Sequence, residues 1–439
     1  MHELLAAAVL WLPLSATAAV PQATSTTLDN GLHLVIIPMS HTDGVVAWQL
    51  RMDVGSGDEV QTGRTGFAHF FEHLLFHGSQ ATPRAARERA LLALGVEENA
   101  WTWFDQTVYH AVVPADSLAD YAALEADRLS GLHLTADIVR REAGAVYGEY
   151  RKGQADPMTV LLDRAYETAF TTHPYGHSTL GLLADIEAMP DGLDTALAFH
   201  DLYYRPERAT LLLAGDVDPA SATALIEDRL GAWEPGTDKP PRVPVEPRQR
   251  AARRVEVAWP TATAPLLSLS WKIPAHHPDA FADNAALSLA GMLLTGATGS
   301  LTQRLVHDDK HAYAVLGWSG SLRDPGLMNV IVRLREDADV TAVEAIVREE
   351  VAALGEAVDP ARLAAAQARV AAMQALGSDD PVLVADAHGD ALFPGTDLDT
   401  NAARNALLDA HTGAVDVPAA VRTHLIEAHL TVGVLRQAP

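Results

Sequence analysis

The chain has 439 residues, 48% of them hydrophobic and 20% charged, with a formal net charge of −25 and no cysteine. Such a length implies two or three domains, and the apolar share is that of a globular protein able to bury large cores. The acidity excludes a nucleic-acid-binding surface, which needs a Lys/Arg excess, and the lack of cysteine excludes disulfides, thiolate metal sites, a cysteine nucleophile and a cysteine-borne lipid anchor.

The acidic balance serves solubility, and it also fits an acidic chamber that attracts cationic peptides. In chain order, Leu4 to Leu14 form an apolar run too short to span a bilayer, followed by the small-x-small triplet Ala16-Thr17-Ala18. This pattern predicts a signal peptide over 1–19 and a periplasmic mature protein, although the leading His2 and Glu3 replace the usual Lys or Arg. No later stretch has about 18 consecutive apolar residues, so no membrane span is expected in the mature chain.

A first domain over 24–233 opens with strand-like Leu32 to Ile37, a turn at His41 to Gly44, and a second strand-like run, Val45 to Val54. It continues through helix-rich sequence to a strand at Thr210 to Ala214, closed by Gly215-Asp216. Prolines 235, 240, 241, 244 and 247 then make residues 234–250 an extended linker, since proline suits neither helix interior nor central strand. The second domain, 251–439, repeats the order: strands at Arg254 to Trp259 and Leu266 to Trp271, an apolar helix at Asp283 to Leu294, and a closing strand at His429 to Leu435. The Ala-rich run Pro360 to Leu376 predicts a long helix. Two α+β halves of similar order point to an internal duplication.

The chemistry centres on His69-Phe70-Phe71-Glu72-His73. On a helix His69 and His73 lie one turn apart on one face, so both imidazoles can reach one ion, and Glu72 lies on nearly that same face. Two histidines on a Zn²⁺ leave a third ligand and an open position for water to be found, and a neighbouring carboxylate can take that water's proton. The plainer alternative is a helix that merely carries these residues, but polar groups among so many apolar neighbours are costly without partners. A carboxylate from another element is the expected third ligand. The run Thr135 to Gly153 predicts a helix whose Glu142 and Glu149 are two turns apart on one face, about 10 Å along the axis. A solvated face is the alternative for that pair.

These residues carry a resemblance to the pitrilysin/mitochondrial-processing-peptidase family, the M16-type zinc peptidases with an inverted His-x-x-Glu-His motif. That family has the motif helix and, some 75 residues later, a helix with two glutamates seven apart. Asn99-Ala100-Trp101-Thr102, Asp105 and Thr107-Val108-Tyr109 resemble its edge strand, and His173-Pro174-Tyr175-Gly176 and Tyr203-Tyr204-x-Pro206 match further landmarks. The resemblance implies two homologous halves, each a mostly antiparallel sheet covered on one face by helices. It also implies a single zinc ion held by His69, His73 and Glu149, with Glu72 as base and Glu142 orienting a histidine ligand. Asn99 and Ala100 would hold the substrate, with Tyr313 binding it from the second half.

One departure points to a partner. Relatives pair an arginine with the tyrosine seven residues later, but here that arginine position is Val306, and Arg304 lies two residues earlier on the opposite side of a helix. Some members divide the work between a zinc subunit and a sister carrying the Arg-Tyr pair, and this chain resembles the zinc half of such a heterodimer acting on peptides. The rival expectation is a structural or binding subunit that does little chemistry. His77, one turn beyond His73, is expected past the site rather than on the metal. No Gly-x-Ser-x-Gly elbow or phosphate loop is present.

Overall fold

The computed structural model describes residues 22–42, 44–261, 263–392 and 399–438; the signal peptide expected at 1–19 and Asp43 of the expected turn lie outside them. The strands of the first half are β1 (Thr24–Thr27), β2 (His33–Pro38), β3 (Val45–Met52), β4 (Glu97–Thr102), β5 (Thr107–Pro114) and β6 (Ala209–Gly215). Those of the second are β7 (Arg253–Trp259), β8 (Leu266–Lys272), β9 (Ala312–Ser319), β10 (Leu327–Leu334) and β11 (Leu430–Gln437). The first sheet runs β1-β2-β6-β3-β5-β4 and the second β7-β11-β8-β10-β9. Without β1, the two orders are the same when the second half is laid on the first. Each sheet has one parallel pair, β2 with β6 and β7 with β11, and is otherwise antiparallel. The duplication is therefore visible in topology, and the fold is α+β with two homologous halves. Between the sheets, residues 234–252 carry neither helix nor strand.

Helices α1 (Phe67–Leu75), α2 (Arg84–Leu94), α3 (Leu118–Gly131), α4 (Ala136–Gly153), α5 (Pro157–Ala169) and α6 (Pro219–Leu230) belong to the first half. The second half contributes α7 (Phe281–Thr295), α8 (Val340–Glu356), α9 (Pro360–Gly377) and α10 (Pro381–Leu392). Phe70, Phe71 and Leu74 of α1, Tyr121 of α3 and Val139 and Val146 of α4 form one core with Trp48, Leu50 and Leu213 of the first sheet. Leu287 and Leu294 of α7 and Val343 and Val347 of α8 pack likewise on Leu269, Val330 and Val432. Among the described residues one helical run, Pro278–Asp308, is long and apolar enough to cross a membrane; its α7 section is a core helix here, with ten buried residues.

The opposite sheet faces are covered as well, and by exchange. Val35, Ile37, Ala47, Leu212 and Ala214 of the first sheet pack on Val384, Ala385 and Leu392 of α10, a helix of the second half. Arg51 of β3, 5% exposed, reaches Asp390 of α10 at 2.6 Å. Conversely, Leu161 of α5 packs on Leu266 and Leu435 of the second sheet, and any side chain at Gly433 would come within 2.9 Å of it. Strands buried at successive positions demand cover on both faces; β3 is such a strand, and each half supplies one crossing helix to the other.

Candidate metal centre

Helix α1 begins at Gly66, whose φ of +83° is the left-handed conformation that favours glycine. A β-carbon there would stand 2.2 Å from the Leu180 carbonyl oxygen. The first-turn N–H groups need acceptors, and Glu59 supplies them from a preceding loop: Gly66 N donates to Oε2 at 2.6 Å and Ala68 N to Oε1 at 2.7 Å. Burial raises the Glu59 carboxyl well above its ordinary range, against the pull of those two N–H groups. Phe67, Phe70, Phe71, Leu74 and Leu75 turn into the core, which leaves His69 and His73 on the face toward α4.

Thr135 caps α4, accepting from Ile138 N at 3.3 Å, and Val139, Ala143 and Val146 bury its inner side. Glu142 and Glu149 are thereby presented to α1. Glu149 Oε2 lies 3.5 Å from His69 Nε2, and its Oε1 lies 3.7 Å from His73 Nε2. One ligand atom from each of His69, His73 and Glu149 falls within 4.8 Å of the others. Bond lengths of about 2.0–2.2 Å in a tetrahedron put ligand atoms about 3.4 Å apart, so the set fits a zinc ion after small side-chain adjustments. Burial, with His73 beside it, depresses His69 to about 3, which keeps it neutral as a ligand must be. Burial opposes protonation of His73, but Glu142, Glu149 and Glu72 outweigh it and raise its pKa.

Glu72 is 8% exposed. Thr102 of β4 donates its hydroxyl to Glu72 Oε2 at 2.5 Å, and Thr107 behind it donates to the Val54 carbonyl at 2.9 Å. Glu142 Oε2 is 3.5 Å from His73 Nδ1, the nitrogen turned away from Glu149. Its Oε1 is 2.8 Å from His77 Nε2. These two imidazoles hold the Glu142 carboxyl far below the usual range.

The structure thus brings His69, His73, Glu149, Glu72 and Glu142 together. Asn99 and Ala100 lie on β4, the open edge of the first sheet, with Asn99 exposed. Tyr313 stands elsewhere, on the edge strand β9 of the second sheet, 44% exposed and donating to Glu336 at 2.7 Å. Arg304 is engaged by Glu349 and Glu350 of α8, each at 3.1 Å, and Val306 packs against the second core. Sequence reasoning missed Glu59 and assigned no role to Thr102 or to His77's contact with Glu142. Strand alternation alone would have put Thr102 on the same face as Ala100; no local pattern signals Glu59.

Two family models match the chain: insulinase (peptidase family M16) over residues 34–182 and the peptidase M16 inactive domain over 193–370. An uncharacterized zinc protease of Mycobacterium bovis is 31% identical over 350 residues, 77% of this chain and 76% of that protein. The crystal structure of a protease from Helicobacter pylori superposes with a TM-score of 0.88 at 24% identity, covering 95% of this chain and 100% of that one. That of the periplasmic protease PqqL from Escherichia coli gives 0.76 at 17% identity, with 97% of this chain matching 48% of it. The chain belongs to peptidase family M16. Its relatives include zinc proteases, and the His-Glu constellation lies wholly within the stretch that matches the insulinase model.

Proposed function

We propose that the chain is the zinc-bearing subunit of a metalloendopeptidase, with His69, His73 and Glu149 as ligands and Glu72 as general base. The convergence of three ligand atoms within 4.8 Å, beside a buried glutamate on the helix that carries the two histidines, carries this reading. A single bound zinc would polarise the scissile carbonyl and acidify the attacking water. Glu72 takes the water's proton and returns it to the departing amine nitrogen. Thr102 fixes one carboxylate oxygen of Glu72, and Glu142 fixes the ring of His73. An extended peptide adds to the open edge of β4 at Asn99 and Ala100 by strand pairing, which favours peptides and unfolded segments over folded proteins.

The reading includes a sister subunit that supplies an Arg-Tyr pair across a chamber. Val306 offers no charge and Arg304 is committed to α8, while the E. coli relative is about twice this length. It also includes periplasmic export after Ala18 or Ala19; the same E. coli relative is described as periplasmic. N-terminal sequencing of the native protein checks that cleavage.

The decisive experiment is Glu72→Gln, assayed for zinc content and for cleavage of an unstructured peptide with and without the sister subunit. Zinc retained and turnover lost is the expected pair of results. Turnover near the wild-type rate would refute the mechanism. A wild-type chain that cleaves nothing in either condition would favour the rival reading, a binding subunit.

A further inference from the structure

His77 is absorbed by none of the roles above, yet it is among the most deeply placed polar groups near the site. It follows the end of α1, its N–H donating to Leu74 O at 3.1 Å, and Gly78 at φ +73° turns the chain away immediately after it. Its side chain is 4% exposed and meets a Glu142 side chain that is 9% exposed. The distance is 2.8 Å, whereas Glu142 stands 3.5 Å from His73 and 3.5 Å from Arg84. Arg84 is a poor anchor, since it is 48% exposed and shared with Glu88 at 2.9 Å. The shortest and driest contact of Glu142 is therefore the one to His77.

We propose that His77 is a positioning residue that clamps one oxygen of Glu142, leaving the other aimed at His73 and so fixing that ring for the metal. This rests on the reading of His69, His73 and Glu149 as zinc ligands. A glutamate side chain has three rotatable bonds, and a contact of 3.5 Å to His73 alone would leave it several orientations. A carboxylate oxygen can only accept, so at 2.8 Å His77 Nε2 is the donor. The imidazole thereby links the end of α1 to the middle of α4, and the two helices that carry the ligands keep one relative register at the site.

The test measures zinc affinity by competition with a chromogenic chelator for the wild type, H77L, H77Q, E142Q and the double variant E142Q/H77L. Glutamine offers an N–H donor at a reach similar to Nε2, and leucine offers none. H77L is expected to weaken zinc binding about 10–100-fold, the range for loss of a group that orients a ligand. H77Q should recover most of that loss, and the double variant should be no weaker than E142Q, because both act through one carboxylate. A merely structural His77 would instead give additive losses and no rescue by glutamine. Zinc affinity of H77L equal to wild type, or additivity, overturns the proposal. If H77L fails to fold, H77N, whose amide stops short of Glu142, replaces it against H77Q. His73→Ala is the control: zinc retained there would overturn the ligand assignment itself, whereas zinc lost there and unchanged in H77L overturns only the role of His77.

Discussion

Replacing Arg323 by methionine tests how the two halves are held in register around the site. Arg323, between β9 and β10, enters an acidic recess of the first half: Asp58 at 2.9 Å, with Asp53 and Asp105 both at 3.6 Å. Asp105 is 1% exposed and Asp58 8%, while Arg323 keeps 24% of its side chain in water. Removing one partner of a buried ion pair costs about 3–5 kcal/mol, and the partial exposure of Arg323 sets the expectation at the low end, about 3 kcal/mol. The Arg323 backbone N–H to Asp105 and the Tyr175 hydroxyl to Asp105 survive the substitution, so the recess keeps its shape.

The sign with pH follows from the carboxyls. Burial lifts Asp105 to about 6, and lifts Asp58 above its ordinary value, even with Arg323 pulling both down. A carboxyl whose folded pKa exceeds its unfolded value contributes stability that is whole below the unfolded pKa and lost as pH rises through the folded one. For Asp105 that window runs from its ordinary value of 3.8 to about 6. Without Arg323 both carboxyls rise further and ionise at greater cost. The penalty of R323M is thus expected to be about 3 kcal/mol near pH 8 and clearly smaller near pH 4, below the pKa of about 6 at which Asp105 ionises. Urea unfolding of wild type and variant at both pH values, followed by tryptophan fluorescence, measures it. An equal penalty at both values, or none near pH 8, would refute the electrostatic account of the latch.

Two further substitutions probe the site's supports. Thr102→Val removes the donor to Glu72 and is expected to lower kcat about 10–100-fold with KM little changed, from about 1.5–3 kcal/mol for a hydrogen bond to a charged group; Thr102→Ser should restore most of it, and a serine variant as slow as valine would discount the hydroxyl. Gly66→Ala forces a β-carbon against the Leu180 carbonyl at a positive φ and should cost about 1–3 kcal/mol, seen as a lower melting temperature together with weaker zinc binding. Unaltered melting would show that the entry to α1 relaxes freely.

Much of the site was legible because its spacing is local. His69, Glu72 and His73 share a helix face by the 3.6-residue repeat, and Glu142 and Glu149 do so two turns apart, whatever else the chain does. The strands at Thr210 and Leu266 were equally plain from their apolar runs, and the one at Arg254 from its alternation. The seven-residue spacing of Glu142 and Glu149 could not say which would be buried: Glu142 is 9% exposed and Glu149 45%. That division follows from Val139, Ala143 and Val146 seating the start of α4 more deeply than its end.

The sequence by itself determined the residue classes, the helix that carries His69 and His73, the absence of thiol chemistry and the repeated order of elements in two halves. Each of these depends on composition or on neighbours within a few residues. Only the tertiary structure decided what met what: α4 against α1, Thr102 on Glu72, His77 on Glu142, Glu59 under the N-terminus of α1, and α5 and α10 exchanged between the sheets. Those pairings span from 7 to over 300 residues of chain, and they are selected by which apolar faces bury one another. A periodic pattern shows that a face exists, but the choice of its partner is made by the packing of the whole core.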